Sequence, residues 1–509
     1  MKRLLLGLLA AGCTAGQAQY DAAVRLIDRI PQHATDLPAS DHPSQFFIGI
    51  PGCSGWVLHA ENGLLYPGKV LRTTPTGTAI DVDAVRSLWT GTNRIGVDAH
   101  GELLSVGARM GRMGFLTFSV KERVAMRTDV PSDLLLLPIQ GTFGGVEWGD
   151  AALRLDHYRE TAFGWQRTWG NRLRTGIRAK LLYGYEHADL QDVTGGWTTD
   201  PATWVWTFQG AGALRTSGIE RWSSGGMGSG DAKGYITGLN NRGVAFDFGV
   251  GTSIGSRTRV DIGVTDFGGI RWKDENRVFS VVPSSWTFSG LELGTIDPSS
   301  APDVLADTLD VWGDALLEAV EAHFPIEETT ETFWAALPAR FTVAARHLAI
   351  DRPRMRGTAV LTLMQESGQF GPGNRAINLG WCQEVGKMFA LAGTVGLLRE
   401  GPPTAGAAIA LNLGPLQLHV SSDNLLALRT VDLRMDDSNF QVPASAAIHH
   451  VRVGMHLVFG SSFPTKPKST GPPPSLPATT RRDSESYLSP KPDPIPCSLP
   501  GAKAGKRRR

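Results

Sequence analysis

Residues 243–251 read Gly-Val-Ala-Phe-Asp-Phe-Gly-Val-Gly, a pattern that few structures can accept. At a period of two, Val244, Phe246, Phe248 and Val250 fall on one face, and Ala245, Asp247, Gly249 and Gly251 on the other. Successive side chains of a strand point to opposite sides, so this is a strand with one bulky apolar face and one small or charged face. Residues 258–265 repeat the pattern, with Val260, Ile262 and Val264 opposite Arg259, Asp261, Gly263 and Thr265. The alternation recurs as far as residue 459, behind an export signal. A wall with lipid outside and a polar lumen inside needs that combination.

The export signal occupies residues 1–18. Lys2 and Arg3 supply its charge, residues 4–11 its apolar core, and small residues follow. The core is too short to cross a membrane. Cleavage after Ala18 is the leading expectation, and a lipobox-like reading ending at Cys13 is the other. No apolar run approaches the roughly 18–20 residues of a membrane-spanning helix. Charged residues make up only 19%, and hydrophobic residues, at 41%, are too few for a helical membrane protein. A net charge of +1 supplies no basic field for nucleic acid. Cys13, Cys53, Cys382 and Cys497 have no metal-motif spacing, and a Cys53–Cys382 disulfide is an option in an oxidising compartment.

Residues 19–100 are read as a plug-like or periplasmic segment with the first strands. Within them, 20–37 suggest an amphipathic helix, 46–58 extended chain and 81–90 a short helix. The barrel spans 101–460. Its strand candidates are 103–110, 115–124, 153–168, 174–187, 204–210, 243–251, 258–265, 339–350, 357–366, 378–384, 388–399, 405–413, 416–422 and 448–459. Bacterial single-chain barrels have even strand numbers, so about 14 strands are expected. The fold class is therefore all-β, a transmembrane antiparallel β-barrel. Residues 301–325 interrupt it with an amphipathic helix pattern, in which Val304, Leu305, Leu309, Trp312, Leu316, Val320 and Phe324 recur at helical spacing among acidic residues. That helix is expected to lay its apolar stripe over a loop or the wall. Residues 216–241 read as a Gly- and Ser-rich loop. Residues 461–509, rich in proline and ending in basic residues, read as a disordered, solvated tail.

Several of these segments, taken in order, resemble a known family. They are Leu104-Ser105-Val106-Gly107, residues 115–123, Tyr158-Arg159-Glu160, residues 176–184, residues 241–247 and residues 266–273. The chain is similar to an uncharacterised outer-membrane barrel family of Bacteroidota, a domain of unknown function related to the long-chain fatty-acid transporter superfamily. The resemblance covers residues 20–460. It implies a barrel in the outer membrane of a Gram-negative cell, inserted by the barrel-assembly machinery, with outer-membrane lipid and a hydrophobic small molecule as partners. It brings no catalytic residues.

No nucleophile elbow, zinc motif or phosphate-binding loop is present, so no enzyme, metal or cofactor is expected. The glycines of residues 225–230 lack a phosphate-loop lysine. His449 and His450 point to opposite faces, and His456 lies roughly 20 Å along the strand from His450. Arg178, Lys180, Asp247, Arg259, Asp261 and Arg452 all fall on the small or polar face of their strands. A cation on the lipid face near the midplane costs about 2–4 kcal/mol, so these six are assigned to the lumen wall. They are expected to form charge pairs, with Asp247 seeking Arg259 or Arg178. Trp204, Trp206, Trp272 and Trp286 are assigned to interfacial belts. The function expected is passive transport of a hydrophobic or amphipathic small molecule. The alternative is a structural or adaptor barrel, with a filled lumen, for secretion or surface-protein attachment.

Overall fold

The computed structural model describes residues 21–64, 66–74, 77–170, 172–219, 240–289, 318–367, 375–398, 403–428, 430–435, 438–443 and 448–460. The export signal with Cys13, the glycines at 225–230, residues 301–317 of the helical insertion and the 461–509 tail with Cys497 lie outside the described residues.

Among the described residues, fourteen antiparallel staves close into one barrel. The first stave is broken into Phe46–Gly49 and Gly55–Asn62. Both pieces pair with Thr92–Arg109 on one side and with the last strand, Ile448–Phe459, on the other. Closure is explicit in the register: Phe46 faces Phe459 and Trp56 faces Val453. From Thr92–Arg109 the wall proceeds through Phe115–Pro131, Ala152–Trp169 and Leu173–Thr199. The last of these has 27 residues, far more than the 9–11 or so that a tilted strand needs to cross a bilayer. Its lower half pairs with Asn241–Ile254 and its upper half with Trp206–Ser217, so the wall stands well above the lipid there. Thr258–Trp272 follows, then Arg340–Arg352, Met355–Glu366, Arg375–Val385, Phe389–Leu398, Thr404–Leu413 and Leu416–Ser422.

One end of the barrel carries short turns, such as those between Ile254 and Thr258 and between Arg352 and Met355. The other carries the long connections. There, hairpins Leu71–Thr74/Gly77–Ile80 and Thr430–Met435/Ser438–Pro443 form two small separate sheets. Residues 318–323 are helical, and His323 stacks on Trp286 with ring centroids 5.2 Å apart. This described end of the insertion lies against the upper wall.

The outer surface is apolar. Phe248 is 45% exposed while its neighbour Asp247 is 0% exposed, which shows how completely the two faces differ. Val250, Ile262, Leu361, Leu379, Leu391, Leu411 and Val453 continue the exposed apolar band around the wall. A surface of this kind is stable only against hydrocarbon.

Residues 21–45 lie inside the barrel and are mostly buried. They form two 3-10 turns, Val24–Leu26 and Pro31–Ala34, in place of the expected amphipathic helix. Two causes are visible. Pro31 would interrupt a continuous helix, and a segment enclosed on every side has no solvent face for a helix to present. The inner wall is cut to fit the plug. A Cβ on Gly249 would meet the Ala39 amide nitrogen at 2.7 Å, and one on Gly176 would collide with the Pro38 carbonyl. The small inner positions of the alternating strands are the plug's seat.

Candidate lumen site

The inner face carries a network of paired charges around Lys180. Its Nζ lies 2.9 Å from Asp247 Oδ1, 2.5 Å from Asp266 Oδ1 and 3.5 Å from Glu160 Oε2. Arg178 Nη1 donates to Asp247 Oδ2 at 3.0 Å, and the same guanidinium donates to the plug carbonyls of Ala34 and Thr35 at 3.3 and 3.2 Å. Asp247 thus receives both cations of the neighbouring strand, and Arg178 joins wall to plug. Burying these charges is tolerable only because each is paired.

Of the other assigned residues, Asp261 receives Arg174 Nη2 at 2.8 Å. Arg452, 1% exposed, pairs with Asp21 at the start of the plug. Arg259 is exposed at the short-turn mouth, with no carboxylate within ion-pair distance among the described residues, and acts on Asp28 of the plug from farther off. Burial by itself would raise the Asp21 carboxyl, but Arg452 and His450 beside it hold it well below the usual carboxylate range.

Further charges belong to the network. Arg123 pairs with Asp98 at 2.5 Å, and Arg340 with Glu366 at 2.9 Å. Arg340 and Arg346 alternate with outward residues on Arg340–Arg352, so the period-two rule could have found them. Asp266 was hidden by a bulge. Residues 264–267 span what Phe246–Phe248 spans on the partner strand, and Asp266 takes φ 60°. The extra residue turns Thr265 and Asp266 both inward and reverses the alternation beyond them. Trp272 is therefore not part of the interfacial belt to which it is assigned from the sequence. It is fully buried and stacks on His187 at 4.9 Å. Trp286 is buried too, whereas Trp204 is exposed. Asp423 is beyond the end of a strand, where no periodic signal reaches. It accepts the amides of Ala22 and Ala23 at 3.0 and 2.9 Å and pairs with His450.

Three regions of the lumen follow from this placement. At the long-loop end, a cavity of about 70 Å3 is lined by Glu61, Asp98, Arg127, Arg154, Asp156 and Arg340, among others. It shares Asp98, Arg123 and Arg340 with a deeper cavity, whose floor includes Asp21, Thr35 and Asp36 of the plug. The vestibule therefore ends on the plug. Behind the plug the wall changes character. Val24, Leu26, Ile27 and Ile30 pack against Val360, Cys382, Ala390, Ala392, Ala408 and Ala410 in one buried apolar cluster.

Cys382 is buried in that cluster, while Cys53 is exposed in the turn between the first two strands. Both are free thiols, so the disulfide option is not realised. His450 and His456 are buried inward, and among the described residues no three metal-ligating side chains converge.

The chain matches the family of unknown function DUF5723 over residues 38–423, and it belongs to that family. No curated protein matches it. Among solved structures it is similar to the Ralstonia pickettii toluene transporter TbuX, at 8% identity over 88% of this chain and 97% of that one, with a TM-score of 0.38. It is also similar to a Pseudomonas aeruginosa FadL homologue, at 9% identity over 88% and 98% of the two chains, with a TM-score of 0.40. The translocator domain of the autotransporter NalP from Neisseria meningitidis gives 8% identity, 82% and 90% coverage and a TM-score of 0.29.

Proposed function

We propose that this member of the DUF5723 family is an outer-membrane barrel that passes a hydrophobic or amphipathic small molecule passively when its plug yields. The observation that carries the reading is the apolar cluster behind the plug. A lumen meant for water would carry polar side chains there, yet Ala390, Ala392, Ala408 and Ala410 line it and the plug's aliphatic residues cover it. Moving those residues aside uncovers an apolar strip of wall. A solute with an apolar body could replace their contacts, and the charged vestibule above suits a polar head. The export signal and the apolar outer band support the outer membrane of a Gram-negative cell as its location.

The test is uptake into liposomes carrying the purified protein. Fluorescent fatty acids are expected to enter faster than into empty liposomes. No uptake above that control, across fatty acids and small polar solutes, sinks the reading.

One observation favours the adaptor barrel instead. The plug is fastened by Arg346–Asp28, Arg29–Glu384 and Arg452–Asp21 pairs, and so fills the lumen as a fixed part. A barrel silent for every solute would support this second reading.

A further inference from the structure

Beneath the plug, at the short-turn mouth, lies a cavity of about 90 Å3. Arg257, Arg259, Arg346 and Arg356 line it from three adjacent strands and a turn, together with Asp28 of the plug and Glu384. The carboxylates are largely taken. Glu384 receives Arg29 Nε at 2.7 Å, and Asp28 pairs with Arg346. Arg356 has one carboxylate within ion-pair distance, Asp351 at 3.5 Å on its own hairpin, and it acts on Asp28 and Glu384 from farther off. Arg257 and Arg259 have no carboxylate within ion-pair distance among the described residues.

Two further observations point the same way. Arg259 and Arg346 stand directly opposite each other in the strand register, an arrangement that like charges resist. Arg346 is 4% exposed, and its Nε is a buried donor with no acceptor. Arg356 Nε, on the same cavity, is a second buried donor without an acceptor, and two such donors lining one cavity leave room for an acceptor there. Lysines could scatter their charge into solvent, but guanidinium groups offer planar forks that match an oxyanion.

We infer that this cavity binds a single anionic group, a phosphate or a carboxylate, held between Arg259 and Arg346 with Arg257 at its entrance. The anion relieves the opposition of Arg259 and Arg346 and meets the free donor of Arg346. Because Asp28 is the plug's own carboxylate on Arg346, the site touches the seam between plug and wall.

The experiment is calorimetric titration of the full chain, folded in a nonionic detergent, with two probes. Inorganic phosphate tests a free anion, and short-chain phosphatidylglycerol tests a lipid headgroup. Saturable binding of either is expected, and whichever binds identifies the source. Arg257→Gln and Arg259→Gln change exposed side chains and leave the plug's ion pairs intact. Each is expected to weaken binding about tenfold, while Arg167→Gln, near the end of strand Ala152–Trp169 and away from this cavity, leaves it unchanged. Folding of each variant is checked by its heat-modifiable mobility. Absence of binding by both probes overturns the assignment, as does binding by Arg259→Gln equal to that of the unaltered chain.

Discussion

Asp247 accepts the backbone amide of Asp266 at 2.8 Å, through the same carboxylate that receives Lys180 and Arg178. One side chain therefore closes the bulge in Thr258–Trp272 and neutralises two cations of Leu173–Thr199. Replacing it with alanine leaves a buried amide without an acceptor, and the buried Lys180 and partly buried Arg178 each short of a partner. Asp247→Ala is expected to destabilise the barrel by about 3–5 kcal/mol. Asp247→Asn keeps the acceptor and should cost less. Denaturant titration of the two variants in detergent checks the order, and equal losses would show that the bulge contact is idle.

The plug needs a flat floor. A leucine at position 249 would drive its side chain into Pro38 and Ala39, which approach the missing Cβ to 3.1 and 2.7 Å. The wall hydrogen bonds of that strand do not depend on the plug. Gly249→Leu is thus expected to give a folded, heat-modifiable barrel whose residues 21–45 are cut by protease. Protection equal to that of the unaltered chain would mean that the plug rearranges without leaving.

Asp423 anchors the other end of the plug through two backbone amides. Asp423→Ala removes both acceptors and one of His450's two carboxylate partners, leaving Asp21, at a cost of about 2–4 kcal/mol. Asp423→Asn can still accept one amide. Hydrogen exchange at Ala22 and Ala23 should be fastest in Asp423→Ala, slower in Asp423→Asn and slowest in the unaltered chain.

Acid should loosen the plug. Burial lowers the pKa of His33, and burial lowers that of His42 further, with His33 itself contributing. Both rings therefore sit neutral in the docked plug. A group whose folded pKa is depressed takes up its proton more readily when released, at about 6.5. The stability that these two histidines confer is complete above that value and is lost as the pH falls below it. Protease clipping within residues 21–45 is expected to rise between pH 7.5 and 5. His42→Phe keeps the stack on Phe115, now 4.5 Å between centroids, and should weaken this dependence. A clipping rate that is flat with pH would refute the argument.

Most of the wall was legible without a structure. The strand candidates at 416–422 and 448–459 coincide with observed strands, and several others differ by one to three residues at their ends. The register puts Asp247 opposite Arg178, one of the two partners considered. Asn276–Phe288 was not recognised, because polar and apolar residues do not alternate cleanly there. The long reach of Leu173–Thr199 was cut short for a similar reason. Above the lipid, nothing requires an apolar face.

Sequence alone determined which residues of most strands face lipid. Period two is a local property, and hydrocarbon rejects charge strongly enough to make the choice of face unambiguous. Tertiary structure decided what the inner face is for. A single extra residue at Asp266 reverses the alternation and carries Trp272 indoors, a change that no count along the chain reveals. The plug is held by contacts such as Asp21 with Arg452 and Ala23 with Asp423, which join residues about 400 positions apart. Their partners are set by closure of the barrel, and closure belongs to no local segment.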